Sequence, residues 1–240
     1  MVLRYRRPDI HGSYAHITYP QDDDEPHTIF IIPQGLPALD YLVSHECLHA
    51  LRLFAQPEDE RLMAFIGPEQ QNQVTRALAP SVWQRCGDLP VPSEEIAAVY
   101  HAGIVGQVAN FPSDLRIETS LFEGYPDLRP VQEATLRANI AELVLGLHKE
   151  VQKVTPPFVF RVQNALNSAY CTFIARLLGD AALAQPYRQA GFGRIGAELA
   201  DQLWNTRFAD YRRDRRDTES WTRKFGIERW FTWMPYRLKG

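Results

Sequence analysis

The apolar and polar positions of this chain fall into two rhythms. Residues 12–20 place Tyr14, His16, Thr18 and Tyr19 in a β-favouring stretch. Residues 28–32 read Thr28-Ile29-Phe30-Ile31-Ile32, apolar and β-branched, between Pro26 and Pro33. The pattern predicts two strands joined by the acidic turn Gln21-Asp22-Asp23-Asp24-Glu25-Pro26. From Pro37 the rhythm becomes helical, because proline suits a first helical turn and no breaker follows before about Phe54. Between Tyr41 and Phe54 the only charges are Glu46 and Arg52, beside His45 and His49. A helix so apolar on nearly all sides is expected to be buried. Further helices are predicted over 94–108, after Pro92-Ser93, and over 114–123, capped by Ser113. Two long ones follow over 131–151 and 158–178, separated by Pro156-Pro157. The expected fold is α+β and mainly helical, with a small N-terminal sheet packed on the buried helix. A core is expected over 1–155 and a helical accessory region over 156–240, with one continuous domain as the alternative.

Candidate chemistry sharpens one of these helices. His45-Glu46-Cys47-Leu48-His49 is an HExxH motif. Residues four apart lie on one helical face, so His45 and His49 can turn imidazole nitrogens toward one ion. Two such nitrogens suit tetrahedral Zn2+. Glu46 beside them is placed to act as general base toward a water that the metal acidifies. Burying these three groups without a cation is costly, which favours a metal over a pair of core histidines.

A strand followed by a buried HExxH helix resembles the zincin superfamily of metallopeptidases, over roughly residues 27–126. The resemblance implies a protein or peptide substrate, bound as an added strand on residues 27–32 or a sheet neighbour. It also implies a third ligand. Arg52 and Ala55 stand where a metzincin carries its glycine and third histidine, which excludes that subclass. A gluzincin-like ligand is expected from the helix over 114–123, where Asp114 and Glu118 share one face. Glu118 is the expected ligand, for its longer arm, and Asp114 the expected partner of a ligand histidine. Gluzincins carry the two carboxylates in the opposite order, so the exchanged assignment stays open. Glu94, Glu95 and His101 are rivals on the preceding helix. Tyr125 is the leading candidate to stabilise an oxyanion, with Tyr100 and His101 as others.

Composition changes the picture little, with one exception. Hydrophobic residues make up 45% and charged residues 23% of 240 positions, which is globular composition. Three scattered cysteines make no disulfide framework. The Arg-rich first ten residues lack the apolar core of a secretory signal, and no apolar run is long enough for a membrane span. A cytoplasmic protein with no membrane partner is the expectation. The exception is residues 204–240, which hold ten Lys/Arg, five Asp/Glu and nine aromatics. That tail is net +5, which leaves −8 of the formal −3 for the rest. Its expected role is packing on the body. Docking of an acidic protein or a nucleic acid is the alternative. Gly191-Phe192-Gly193-Arg194-Ile195-Gly196 matches a dinucleotide fingerprint only in letters, since no strand is predicted before it. The composite expectation is a zinc peptidase of selective, regulatory action. The alternatives are a binding module with a structural metal and a hydrolase of a non-peptide amide.

Overall fold

The computed structural model describes residues 2–5, 15–18, 28–31 and 38–236. Strands β1 (Val2–Tyr5), β2 (Ala15–Thr18) and β3 (Thr28–Ile31) form a sheet in the order β1-β3-β2. β3 pairs parallel with β1 and antiparallel with β2, with Ala15 opposite Ile31 and Thr18 opposite Thr28. The strand pair expected from the sequence is therefore present; its acidic connection lies outside the described residues. Because β3 is paired on both edges, it offers no edge for an added peptide strand, and the expectation for residues 27–32 fails in that form. Helix α1 (Leu39–Phe54) packs Tyr41 and Leu42 against Ile29 of β3 and against Ile117 and Leu121 of α3. This small core holds the HExxH helix between sheet and helix.

The body is helical. α2 (Pro68–Cys86), α3 (Ser93–Gly124), α4 (Arg129–Leu145), α5 (Lys149–Val154) and α6 (Pro157–Leu177) precede α7 (Gln185–Gln189), α8 (Gly193–Trp204) and α9 (Tyr211–Phe225). Their shared core draws on Val74 and Val82, Val108 and Leu115, Phe173 and Trp221, on both sides of Pro156-Pro157. No described helix is long and apolar enough to cross a membrane. The expected helix over 131–151 is divided, because Gly146, Leu147 and His148 donate to carbonyls three residues back and tighten the end of α4. Gly191, at φ +88°, serves the turn before α8, and Gly196 lets α8 close on Ser168 of α6, so one glycine serves a turn and the other packing.

The two helices expected over 94–108 and 114–123 are one helix of 32 residues, α3, which runs through Pro112. Proline lacks the amide that would donate to the carbonyl of Val108, and leaving a buried carbonyl unpaired costs about 1–3 kcal/mol. Thr218 of α9 supplies the missing donor: its Oγ1 donates to Val108 O at 3.1 Å. A contact made 110 residues away thus lets a proline stay inside a helix.

The tail, over its described residues 204–236, is folded into the body. β5 (Thr232–Pro235) pairs antiparallel with β4 (Leu62–Phe65), with Ala64 opposite Trp233. Trp221 is fully buried, Trp204 packs on Phe173, and Trp230 packs on His101 and Phe158. Several of its cations are paired: Arg212 with Glu60, Arg213 with Asp217, and Lys224 with Glu198.

Candidate metal centre

α1 and α3 cross at the HExxH motif. His45 Nε2 and His49 Nε2 stand 3.2 Å apart, as their four-residue spacing requires. Asp114 Oδ1 lies 3.0 Å from His49 Nε2 and 3.8 Å from His45 Nε2. A tetrahedral zinc with bonds of about 2.0–2.1 Å has ligand–ligand edges of about 3.3 Å. Two of the three separations fall close to that edge and the third is somewhat long, so His45, His49 and Asp114 form a group that fits a metal ion. The donor set, two imidazoles and one carboxylate, suits zinc chemistry.

Glu118 sits behind His45, away from this convergence. Its Oε1 accepts a hydrogen bond from Tyr41 Oη at 2.7 Å and stands 2.9 Å from His45 Nδ1. That second contact has the distance of a hydrogen bond but not its alignment. Its Oε2 accepts from Gln132 Nε2 at 2.6 Å. The placement expected from arm length is therefore reversed: Asp114 faces both Nε2 atoms and Glu118 faces an Nδ1. Position along α3 decides it, since the turn at 114 meets the open side of the imidazoles and the turn at 118 meets the back. Ser113 Oγ approaches His49 Nδ1 at 3.5 Å, the outer limit for a hydrogen bond.

The charges respond accordingly. Burial alone would depress His45, but Asp114 and Glu118 together raise it well above the ordinary histidine value. Burial alone would raise Asp114, but the neighbouring imidazoles of His45 and His49 hold it at about 2.

These groups line a cavity of about 910 Å³, shared by Glu46, which is 7% exposed. Met63, Ala64 and Phe65 of β4 line one part of it; Thr135 and Asn139 of α4 and Tyr170 of α6 line another. Among the described residues no lysine or arginine lines it. Burial, then Glu118 and Asp114, push the Tyr170 hydroxyl well above 10, so it keeps its proton at neutral pH.

Other expected participants lie elsewhere. Tyr125 follows the last turn of α3, is 55% exposed, and does not line the cavity. A side chain turned to solvent there has no route to the metal group. His101 is fully buried, with Nε2 at 2.7 Å from Trp230 O, and Tyr100 is engaged with Thr155. Glu94 and Glu95 are exposed at the start of α3. The sequence reading missed Tyr41, Gln132 and Tyr170. Tyr41 was within reach of it, because it lies four residues before His45 on the same helical face. Gln132 and Tyr170 arrive from other helices and carry no local signal.

Comparison of the chain with known protein families, with curated proteins and with solved structures returns no match. The functional reading accordingly rests on the geometry of the centre itself.

Proposed function

We propose that the protein is a zinc-dependent hydrolase of peptide bonds, with His45, His49 and Asp114 as metal ligands and Glu46 as general base. The observation that carries this reading is the convergence of two Nε2 atoms and Asp114 Oδ1 beside Glu46, in a cavity large enough for several residues of a peptide. Zinc bound there supplies a Lewis acid that acidifies a water and polarises a carbonyl. The remaining tasks belong to side chains. Glu118 orients His45 through Nδ1 and is itself fixed by Tyr41 and Gln132. Glu46 takes the proton of the attacking water and passes it to the leaving amine. Tyr170, protonated and lining the cavity, takes over the oxyanion-donor role first considered for Tyr125. The zincin likeness rests on the HExxH helix and its neighbouring sheet, with the third ligand an aspartate in place of a glutamate.

The binding-module alternative has less support, because the tail's tryptophans and several of its cations are used in packing. Substitution Glu46→Gln separates the two readings. It should cut hydrolysis of a denatured-protein or peptide-library substrate by at least about 100-fold while zinc stoichiometry stays at one per chain. No hydrolysis by either protein at full zinc occupancy would remove the enzyme reading, and equal hydrolysis by both would remove Glu46 as general base.

A further inference from the structure

Beside the candidate centre, one helix reaches both of the helices that carry its residues. Asp214 of α9 accepts from Arg52 at Oδ2, at 3.1 Å from Nε and 2.6 Å from Nη2, and from Arg116 Nη1 at Oδ1, at 2.6 Å. Arg52 stands three residues after His49 on α1, and Arg116 two residues after Asp114 on α3. Arg116 is fully buried and also gives Nη2 to Asp217 at 2.5 Å. On the same helix, Thr218 serves the Val108 carbonyl that Pro112 orphans, and Pro112 lies two residues before Asp114.

These contacts share a direction. Asp114 and Arg116 are two residues apart on a helix, so they project from roughly opposite sides of α3. As Asp114 reaches α1 in front, Arg116 is held by α9 behind. A carboxylate held by two guanidinium groups fixes both distance and rotation between the helices, which apolar contacts leave free to slide. A proline inside a helix is where the axis bends most easily, and the donor that settles its free carbonyl also comes from α9.

We infer that α9 positions the metal centre, with Asp214 and Thr218 as positioning residues that set how closely Asp114 approaches His45 and His49. The inference rests on the metal-centre reading given above. It adds to the packing role expected of the basic C-terminal segment a function in setting the geometry of the site.

The test compares wild type with Thr218→Val, Thr218→Ser and Arg52→Lys in the full chain. Zn2+ affinity is read by competition with a chromophoric chelator, ligand geometry from the visible absorption of the Co2+-loaded protein, and folding from the thermal midpoint without metal. Thr218→Val keeps the shape and deletes the donor. It should weaken Zn2+ binding by about ten-fold and change the Co2+ spectrum, as removal of a group that orients a ligand does. Thr218→Ser, which retains the hydroxyl, should restore both. Arg52→Lys keeps the charge and loses the fork, and should weaken binding in the same direction even if Thr218→Val does not fold. Lowered thermal midpoints with wild-type affinity and spectrum would show a merely structural network and overturn the inference. Absence of Zn2+ binding by folded wild type would instead overturn the metal-centre reading and this inference with it.

Discussion

α1 and α3 contribute to one centre, but they do so by different physics. α1 delivers His45 and His49 through its own geometry: any regular helix puts residues four apart on one face. α3 delivers Asp114 and Glu118 only with outside help. It continues through Pro112 because Thr218 settles the orphaned carbonyl, and it is held to α9 through Arg116, Asp214 and Asp217. The difference teaches that a candidate ligand pair can be a local property of sequence while its proposed third member is a property of the whole fold.

The largest test of that contrast removes carboxylates one helical turn apart. Asp114→Ala should abolish stoichiometric zinc binding, and His49→Ala should do the same. Glu118→Ala should leave a folded protein that still binds zinc, weakened about 10- to 100-fold through loss of the His45 contact. Metal analysis after dialysis decides between the two carboxylates. Full occupancy in a folded Asp114→Ala protein would return the ligand role to Glu118.

The back of α3 should answer in stability. Arg116→Met deletes a fully buried cation and leaves Asp214 and Asp217 each short of a partner. A loss of about 3–5 kcal/mol in denaturant unfolding is expected, the cost of breaking a buried ion pair from one side. Arg52→Met, whose side chain is 15% exposed, should cost less. A near-neutral Arg116→Met would mean that apolar packing alone holds α3 in place.

A third contrast concerns Tyr170 and Tyr125, the donor found by geometry and the donor expected from proximity in sequence. Tyr170→Phe should lower kcat by about 100-fold or more with little change in KM, because an oxyanion donor acts in the transition state. Tyr125→Phe should leave both constants unchanged, since that side chain is turned to solvent. Equal effects from the two substitutions would withdraw Tyr170 from the mechanism.

What could be read from the sequence follows the same division. The HExxH helix, the strands at 15–18 and 28–31 and the long helix α6 announce themselves through local periodicity. The sequence reads as two helices, over 94–108 and 114–123, where α3 is continuous: the usual cost of Pro112 inside a helix, about 3 kcal/mol, is visible in sequence and its remedy at Thr218 is not. α2 went unrecognised, with polar Gln and Arg positions diluting its apolar face and Pro80 inside it. The placement of the two carboxylates is hidden from the sequence for a related reason. Side-chain length is a property of one residue, but which turn of α3 meets the open side of the imidazoles depends on how two helices cross.

The smallest expected effect tests how α3 is tied to the C-terminal segment. His101 is fully buried and donates from Nε2 to the carbonyl of Trp230. Its Nδ1 has no hydrogen-bond partner among the described residues. Burial lowers its pKa, and the Trp230 carbonyl only partly opposes that. A histidine whose folded value lies below the unfolded one is protonated first in the unfolded chain as pH falls. Its contribution is therefore complete above the unfolded value of about 6.5 and is lost as pH drops through the lower folded value. His101→Gln preserves a donor near the Nε2 position and cannot titrate. Both proteins carry the same metal site, so the difference between their thermal midpoints isolates this residue. The wild-type midpoint should fall more steeply below about pH 6.5 than that of His101→Gln. Parallel curves would mean that the tie between α3 and Trp230 tolerates a proton, and that burial at this position is looser than the packing indicates.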